Sequence, residues 1–315
     1  MTQENFKTVT LVGCGTMGPG IAQTFSRAGL NVYMVDLKQE VLDNAIAKIK
    51  DQLNLFVELN VMRESEKAPV LSRIHPTTDM EAACRKADYF MEAVQEVLEL
   101  KQQVHKKADE WCPPDTIFAS NASGIKIAAI ASATRRPDRV VGTHWVNPPH
   151  IMQLVEIVKG ETTSDATVAT VKAFLTRVGK APIVCKDTTS YVNNYMQGAL
   201  GRAAMELWQN GIATPEDIDR AVNTGFGFRL PVVGPLAFFD MAGLDNVRDS
   251  WAYTNKVTGG RLGPLPEQLL KLVADGHWGV KTGKGLYDYS GKNGQELVKT
   301  RERQLILQLK ALGRL

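Results

Sequence analysis

His144 and Glu156 are the pair in this sequence whose types and spacing suit proton transfer. His144 follows the apolar run Val140–Thr143, read as a strand, and Glu156 lies inside a second run, Leu154-Val-Glu-Ile-Val158. A carboxylate within an apolar strand needs a polar partner, and an imidazole N–H is a natural one. Such a pair makes a general base: the imidazole takes a hydroxyl proton, while the carboxylate fixes its tautomer and stabilises the imidazolium. A His–Glu pair of purely structural purpose satisfies the same residues equally well.

The N-terminus carries a second signature. Thr10-Leu-Val-Gly-Cys-Gly-Thr-Met-Gly18 sets G-x-G-x-x-G after a strand and at the head of a helix. Gly13 permits a tight turn, Gly15 lets the backbone approach a pyrophosphate, and Gly18 allows close helix–strand packing. Thr16 and Met17 complete the turn, whose helix start offers free N–H groups to phosphate. Asp36 ends the next strand, about 20 residues on, where its carboxylate meets ribose hydroxyls and repels the extra phosphate of NADP. Lys38 is a weak counterweight. Strand, helix and acid fall in place together, so NAD is the expected cofactor.

Alternating strands and helices must position these groups. Val9–Val12, Val32–Val35, Tyr89–Val94, Thr116–Ala119 and Val140–Thr143 read as buried strands of a parallel sheet, rich in β-branched and aromatic residues. Met17–Ala28 reads as a helix ended by Gly29, and a long amphipathic stretch runs from Asp36 to about Glu64. The alternation predicts an α/β Rossmann-type doubly wound domain over residues 1–187. Residues 188–315 read as a second, all-α domain. There Val192–Trp208 carries small and apolar residues on several sides and is expected to be buried. Thr214-Pro-Glu-Asp is a helix start, and further helices are expected at Leu265–Ala274 and Val298–Leu312.

Bulk properties narrow the function classes. The 315 residues are 44% hydrophobic and 23% charged, with a net charge of +3 spread along the chain, so nucleic-acid binding gains little support. Cys14, Cys84, Cys112 and Cys185 form no CxxC pair, and none has a His at zinc-ligand spacing, so no metal is expected. Isolated thiols suit a reducing cytoplasm. Met1–Lys7 is polar, unlike a signal peptide, and no apolar stretch reaches the ~20 residues of a membrane helix. A soluble cytoplasmic protein without membrane or nucleic-acid partners is expected.

Residues 120–158 bring a family resemblance. The chain reads Ser120-Asn-Ala-Ser-Gly124, then His144-Trp-Val-Asn-Pro-Pro149, Leu154-Val-Glu156 and Asn193-Asn-Tyr195. It resembles the L-3-hydroxyacyl-CoA dehydrogenase family, which carries SNTSS, HFFNP, LVE and VNR in that order. The likeness covers nearly the whole length, including Gly211–Asp219, Asp240-Met-Ala-Gly-Leu-Asp245 and Lys281-Thr-Gly-Lys-Gly-Leu-Tyr287. It implies a base at His144, an orienting acid at Glu156, and Ser123 and Asn194 on the substrate oxygen. Ala93, Glu96, Lys101, Asn121 and Asn147 then line the cofactor and active site. On the residues alone, Ser123 and Asn121 are equally turn formers, Asn194 a buried helix amide, and Glu96–Lys101 a surface ion pair. The resemblance further implies reversible oxidation of a 3-hydroxyacyl group, a place in fatty acid metabolism, and a homodimer formed through the helical half. Leu236-Ala-Phe-Phe239 serves such an interface or an internal core equally well.

Three departures bear on the substrate. Phe-Phe-Asn-Pro-Val becomes Trp145-Val-Asn-Pro-Pro149, and Pro-Gly-Phe-Ile-Val-Asn-Arg becomes Thr189-Ser-Tyr-Val-Asn-Asn-Tyr195. Gly-Tyr-Pro-Met-Gly-Pro becomes the longer Gly227-Phe-Arg-Leu-Pro-Val-Val-Gly-Pro235. These features look more like relatives acting on free acids such as carnitine, L-gulonate or a pyridine carboxylate. Arg229 is either a bidentate clamp for a substrate carboxylate or an ordinary surface arginine. Lys67 is the only lysine in 56–70, where many acyl-CoA relatives hold several. Family abundance still makes acyl-CoA the leading named substrate, with a free hydroxy acid as the alternative. A silent crystallin-like scaffold and an NAD-sensing module are readings of other classes. Intact Ser123, His144, Glu156 and Asn194 argue against both.

Overall fold

The computed structural model describes residues 6–315, which divide into two compact units, one up to Leu200 and one from Gly201 to Leu315. In the first unit the apolar runs become strands β1 (Thr8–Val12), β2 (Asn31–Val35), β3 (Ile74–Thr77) and β4 (Tyr89–Glu92). They continue as β5 (Ile117–Ser120), β6 (Val140–Trp145), β7 (Leu154–Lys159) and β8 (Ala181–Lys186). The helices of this part are α1 (Gly18–Arg27), α2 (Gln39–Glu58), α3 (Lys67–Ser72), α4 (Met80–Cys84) and α5 (Leu98–Trp111). After them come α6 (Ile127–Ala131), α7 (Asp165–Arg177) and α8 (Tyr191–Gln209), the last carrying the chain from one unit into the other.

One sheet holds all eight strands in the order β3-β2-β1-β4-β5-β6-β7-β8. Every pairing is parallel except β6 with β7, which is antiparallel. The central strands β4, β5 and β6 are buried along their whole length, as a sheet covered on both faces requires. Two apolar clusters form the core, one built around Phe25, Tyr89, Trp145 and Phe174, the other around Phe90, Phe118 and Ile127. Each large side chain so enclosed contributes ~1.5–3 kcal/mol of transfer free energy. That core fixes the C-terminal strand ends, where the chemistry-bearing residues stand.

Among the differences between the observed and the expected elements, three bear on the placement of the strands and of α8. β3 and β8 fall on the two edges of the sheet and were not expected. Each contains a proline, Pro76 or Pro182, which an edge strand tolerates. His144 lies inside β6 rather than after it, because the strand runs on to Trp145. In α8 only Tyr191 is buried, contrary to expectation; Tyr195, Met196 and Trp208 are exposed. The apolar sides of this helix find no cover within the described residues.

The second unit holds α9 (Pro215–Thr224), α10 (Phe226–Arg229), α11 (Pro235–Ala242), α12 (Leu244–Thr258), α13 (Glu267–Ala274) and α14 (Gly294–Ala311), with no named strand among its described residues. Thr214 caps α9 by accepting the Asp217 N–H at 3.1 Å, with Pro215 in the first turn. Buried Asp240 accepts the N–H groups of Leu286 and Tyr287, both at 2.9 Å, and ties the 279–289 segment to α11. The chain is thus an α/β doubly wound domain followed by an all-α one.

Candidate active site

His144 and Glu156 are direct partners in the register of the antiparallel pair β6–β7. This pairing explains their twelve-residue separation: the chain leaves β6, turns through 146–153 and returns along β7. The two side chains project from the same face of the sheet, because opposed residues of paired strands share a face. Nδ1 of His144 stands 2.7 Å from Oε2 of Glu156. Oε1 of the same carboxylate accepts the backbone N–H groups of Val192 and Asn193, at 2.9 and 2.8 Å, where α8 begins. Glu156 is fully buried. Burial drives its carboxyl toward neutrality, but the His144 hydrogen bond, the Asn193 N–H, the charge on His144 and the Val192 N–H outweigh it, so its pKa lies below the usual carboxylate range. An ionised acceptor at Nδ1 holds the proton there and leaves Nε2 as the basic nitrogen.

His144 opens on a cavity of about 380 Å³, whose lining includes Met17, Asn121, Ser123, Asn147 and Asn194. Asn193, Gln197, Trp145 and Val146 complete the wall. The structure therefore brings His144, Ser123 and Asn194 around one space, with Glu156 behind the histidine. Asn193 and Gln197 were not expected there; they lie on the same helix as Asn194, and a 3.6-residue period from Asn194 leads to Gln197, with Asn193 one turn before that residue.

Glu96 orders the loop that carries Ser123. Its Oε1 accepts the N–H groups of Ser123, Gly124 and Ile125 at 2.8, 2.9 and 3.2 Å. Lys101 is no surface group: it is fully buried, with Nζ 2.8 Å from Oε1 of buried Glu92 and 3.3 Å from Oε2 of Glu96. It thus stands beside Glu96, the carboxylate that orders the Ser123 loop. Glu92 also accepts the Ser120 hydroxyl at 2.7 Å and the Val94 N–H at 2.8 Å, so one carboxylate joins the ends of β4 and β5. Burial raises its pKa, yet His105 and Lys101 outweigh this and hold it below the ordinary range. Asn121 accepts the Trp145 N–H at 2.9 Å, which ties the end of β5 to the end of β6.

The glycine turn is built for a ligand that needs backbone proximity. Gly13 has φ +100°, and a Cβ there would sit 2.5 Å from the Ala93 carbonyl oxygen. A Cβ on Gly18 would meet the Gly13 oxygen at 2.4 Å, whereas the space beside Gly15 is open. Helix α1 has no side-chain cap and no acid in its first turn, so its leading N–H groups stay available to an anion. Asp36 follows β2 and accepts the Cys14 N–H at 2.9 Å and the Leu37 N–H at 2.8 Å. Each of its oxygens keeps a lone pair for a ribose hydroxyl. These residues fit a dinucleotide. Arg229 lies in the second unit, with its guanidinium 3.6 Å from the centre of the Phe238 ring. No group of three or more His, Cys, Asp or Glu side chains suited to a metal ion occurs among the described residues.

Comparison with known proteins places the chain in a family. The family described as "3-hydroxyacyl-CoA dehydrogenase, NAD binding domain" matches residues 8–188, and its "C-terminal domain" matches residues 191–289. The chain is 33% identical to a 5-formyl-3-hydroxy-2-methylpyridine 4-carboxylate 5-dehydrogenase from Mesorhizobium japonicum, over 95% of this chain and 96% of that one. It is 36% identical to the human mitochondrial hydroxyacyl-coenzyme A dehydrogenase, over 90% of this chain and 91% of that one. A solved 3-hydroxyacyl-CoA dehydrogenase from Archaeoglobus fulgidus superposes with TM-score 0.82 at 32% identity, covering 98% of this chain and all of that one. The relatives thus include proteins named for CoA-linked and for CoA-free substrates. On this footing the chain belongs to the 3-hydroxyacyl-CoA dehydrogenase family, and it is an NAD-dependent dehydrogenase acting on a CH–OH group.

Proposed function

We propose that His144 is the general base of this dehydrogenase, oriented by Glu156, with Ser123 and Asn194 holding the substrate oxygen. The observation that carries the reading is the 2.7 Å contact between His144 Nδ1 and the buried Glu156 carboxylate, at the edge of a cavity also lined by Ser123 and Asn194. Nε2 of His144 receives the proton of a secondary alcohol, and Glu156 stabilises the imidazolium that results. The Ser123 hydroxyl and the Asn194 amide donate to the oxygen as it becomes a carbonyl. When bound, NAD supplies the acceptor for the hydride that leaves the carbinol carbon. Gly13, Gly15, Thr16, Met17 and Gly18 form its phosphate turn, Ala93 just past the end of β4 lies against Gly13 beside it, and Asp36 selects it over NADP. Asn121, Asn147 and Glu96 shape the wall beside it, and Lys101 pairs with Glu96.

For the substrate, a free hydroxy acid is supported over a CoA thioester by the charge of the 56–70 segment. Its single lysine, Lys67, is paired with Glu64 at 2.9 Å, and Arg63 is paired with Glu66 at 3.3 Å. No unpaired cation remains there to meet nucleotide phosphates. We take residues 188–315 as a helical domain for substrate and dimer contacts. Exposed Tyr195, Trp208, Ile212, Tyr253 and Val257 support a homodimer, since exposed apolar area of this kind marks an interface. Four free cysteines accord with the reducing cytoplasm.

The test is a panel of 3-hydroxyacyl-CoAs, carnitine, gulonate and aromatic hydroxy acids, with NADH formation followed optically. Oxidation of a free acid with higher kcat/KM than any thioester is expected. Turnover of thioesters alone overturns the free-acid reading, and turnover of none overturns the assigned chemistry.

A further inference from the structure

The first turns of α8 present three carboxamides to the catalytic cavity: Asn193, Asn194 and Gln197. Asn193 stands where the resembling family segment has valine. Its Nδ2 donates to Oδ1 of Asn194 at 3.1 Å. That bond occupies the acceptor of Asn194 and leaves the Asn194 N–H donors for the substrate oxygen. Asn193 keeps its own carbonyl oxygen and its second N–H. Gln197 follows one turn on, on the same helix face. The Asn193 backbone N–H is held by Glu156 at 2.8 Å, so this amide array is anchored to the carboxylate that orients His144.

No residue lining the cavity is Asp, Glu, Lys or Arg. A carboxylate placed against such a wall would lack a cation, whereas an alkyl group would leave amide donors and acceptors without partners. A hydroxyl both donates and accepts, as a carboxamide does, and satisfies the wall from either side. We propose that Asn193 and Gln197 determine specificity, selecting a substrate that bears a hydroxyl on the carbon next to the reacting carbinol. Asn193 is in addition a positioning residue for the Asn194 amide. This inference rests on the function proposed above and names the substrate class of the same site.

The deciding experiment compares 3-hydroxybutyrate, 3,4-dihydroxybutyrate and 3-hydroxybutyryl-CoA as substrates with NAD. The two free acids share one carbinol and differ only in the neighbouring hydroxyl. The wild type is expected to prefer the dihydroxy acid by about 10²-fold in kcat/KM, below the full discrimination of an enclosed hydrogen-bonding site. Asn193→Val with Gln197→Leu should reduce that preference below tenfold, while NADH still binds by fluorescence titration. Gln197 is exposed, so Gln197→Leu alone tests the wall without disturbing the fold; it must lower the preference by at least threefold. Calorimetric binding of 3,4-dihydroxybutyrate to the protein–NADH complex should weaken in parallel. Equal kcat/KM for the two free acids, an unchanged ratio in the variants, or turnover of the thioester alone overturns this inference and leaves His144 as base. No turnover of any of the three, by protein that binds NADH, overturns the function reading and this inference with it.

Discussion

Oε1 of Glu156 accepts the backbone N–H of Asn193 at 2.8 Å, so the carboxylate that orients the histidine is also the anion at the start of helix α8. The His144 hydrogen bond and, after it, the N–H groups of this helix start keep Glu156 ionised despite its burial. Glu156→Gln keeps an acceptor oxygen but loses the charge. It should reduce kcat by about 10²-fold, because the imidazolium that forms as His144 takes the proton loses the charge that stabilises it. A variant with wild-type kcat would remove Glu156 from that role.

His144→Gln removes the base but leaves the glycine turn and Asp36 untouched. A fall in kcat of at least ~10²-fold is expected, with NADH affinity nearly unchanged. Stopped-flow turnover together with fluorescence titration separates the two quantities. Equal turnover in variant and wild type would assign the base to another group.

How much of this was legible differs from residue to residue. The glycine turn and Asp36 are local, set by one strand, one turn and one helix, so spacing alone predicts where they stand in the fold. The His144–Glu156 pair was visible as two polar residues in apolar runs, but its cause was not. The partnership depends on β7 running antiparallel to β6 in an otherwise parallel sheet. Glu92 and Ser120 were invisible for the same reason: they meet across 28 residues, and only the β4–β5 register brings them together. The exposed apolar side of α8 was misread as buried, because an apolar pattern states that a face needs cover and not which surface supplies it.

Asp36→Ala should weaken NAD binding and relax discrimination against NADP. Two effects combine: the ribose acceptor is lost, and the Cys14 N–H at the glycine turn loses its bond to Oδ2. The ratio of kcat/KM for NAD over NADP should fall by at least tenfold, about 1.4 kcal/mol of differential binding. An unchanged ratio would place cofactor selection elsewhere.

Acid should destabilise the fold through its buried carboxylates. Glu156 and Glu92 both have folded-state pKa values held below the ordinary range, so the unfolded chain binds their protons first as pH falls. The stability they contribute is complete above an unfolded-state value of about 4.3 and is lost as pH drops through the folded-state values. Each contributes a slope of up to ~1.4 kcal/mol per pH unit in that window. Urea midpoints measured from pH 6 to pH 3 should fall most steeply below about pH 4.3, and Glu92→Gln should flatten the curve. A flat profile in the wild type would contradict the ionised state of both groups.

Lys101 gives the sharpest contrast between surface and buried charge. An exposed ion pair is worth ~0–1 kcal/mol, so a surface Lys101–Glu96 pair could be deleted at little cost. The side chains of Lys101 and Glu92 are instead wholly buried, with Glu92 linked to Ser120 and to the Val94 N–H. Lys101→Met fills the same volume but leaves Glu92 without its cation, which costs ~3–5 kcal/mol where one partner of a buried pair is removed. Lys101→Met combined with Glu92→Gln removes both charges and should recover much of that loss, since the penalty lies in the unpaired anion. The double variant should still bind NADH weakly, because Glu96 would lose the ammonium beside the carboxylate that holds the Ser123 loop. Urea denaturation of the two variants measures the coupling; a single variant within ~1 kcal/mol of wild type would return the pair to the surface class.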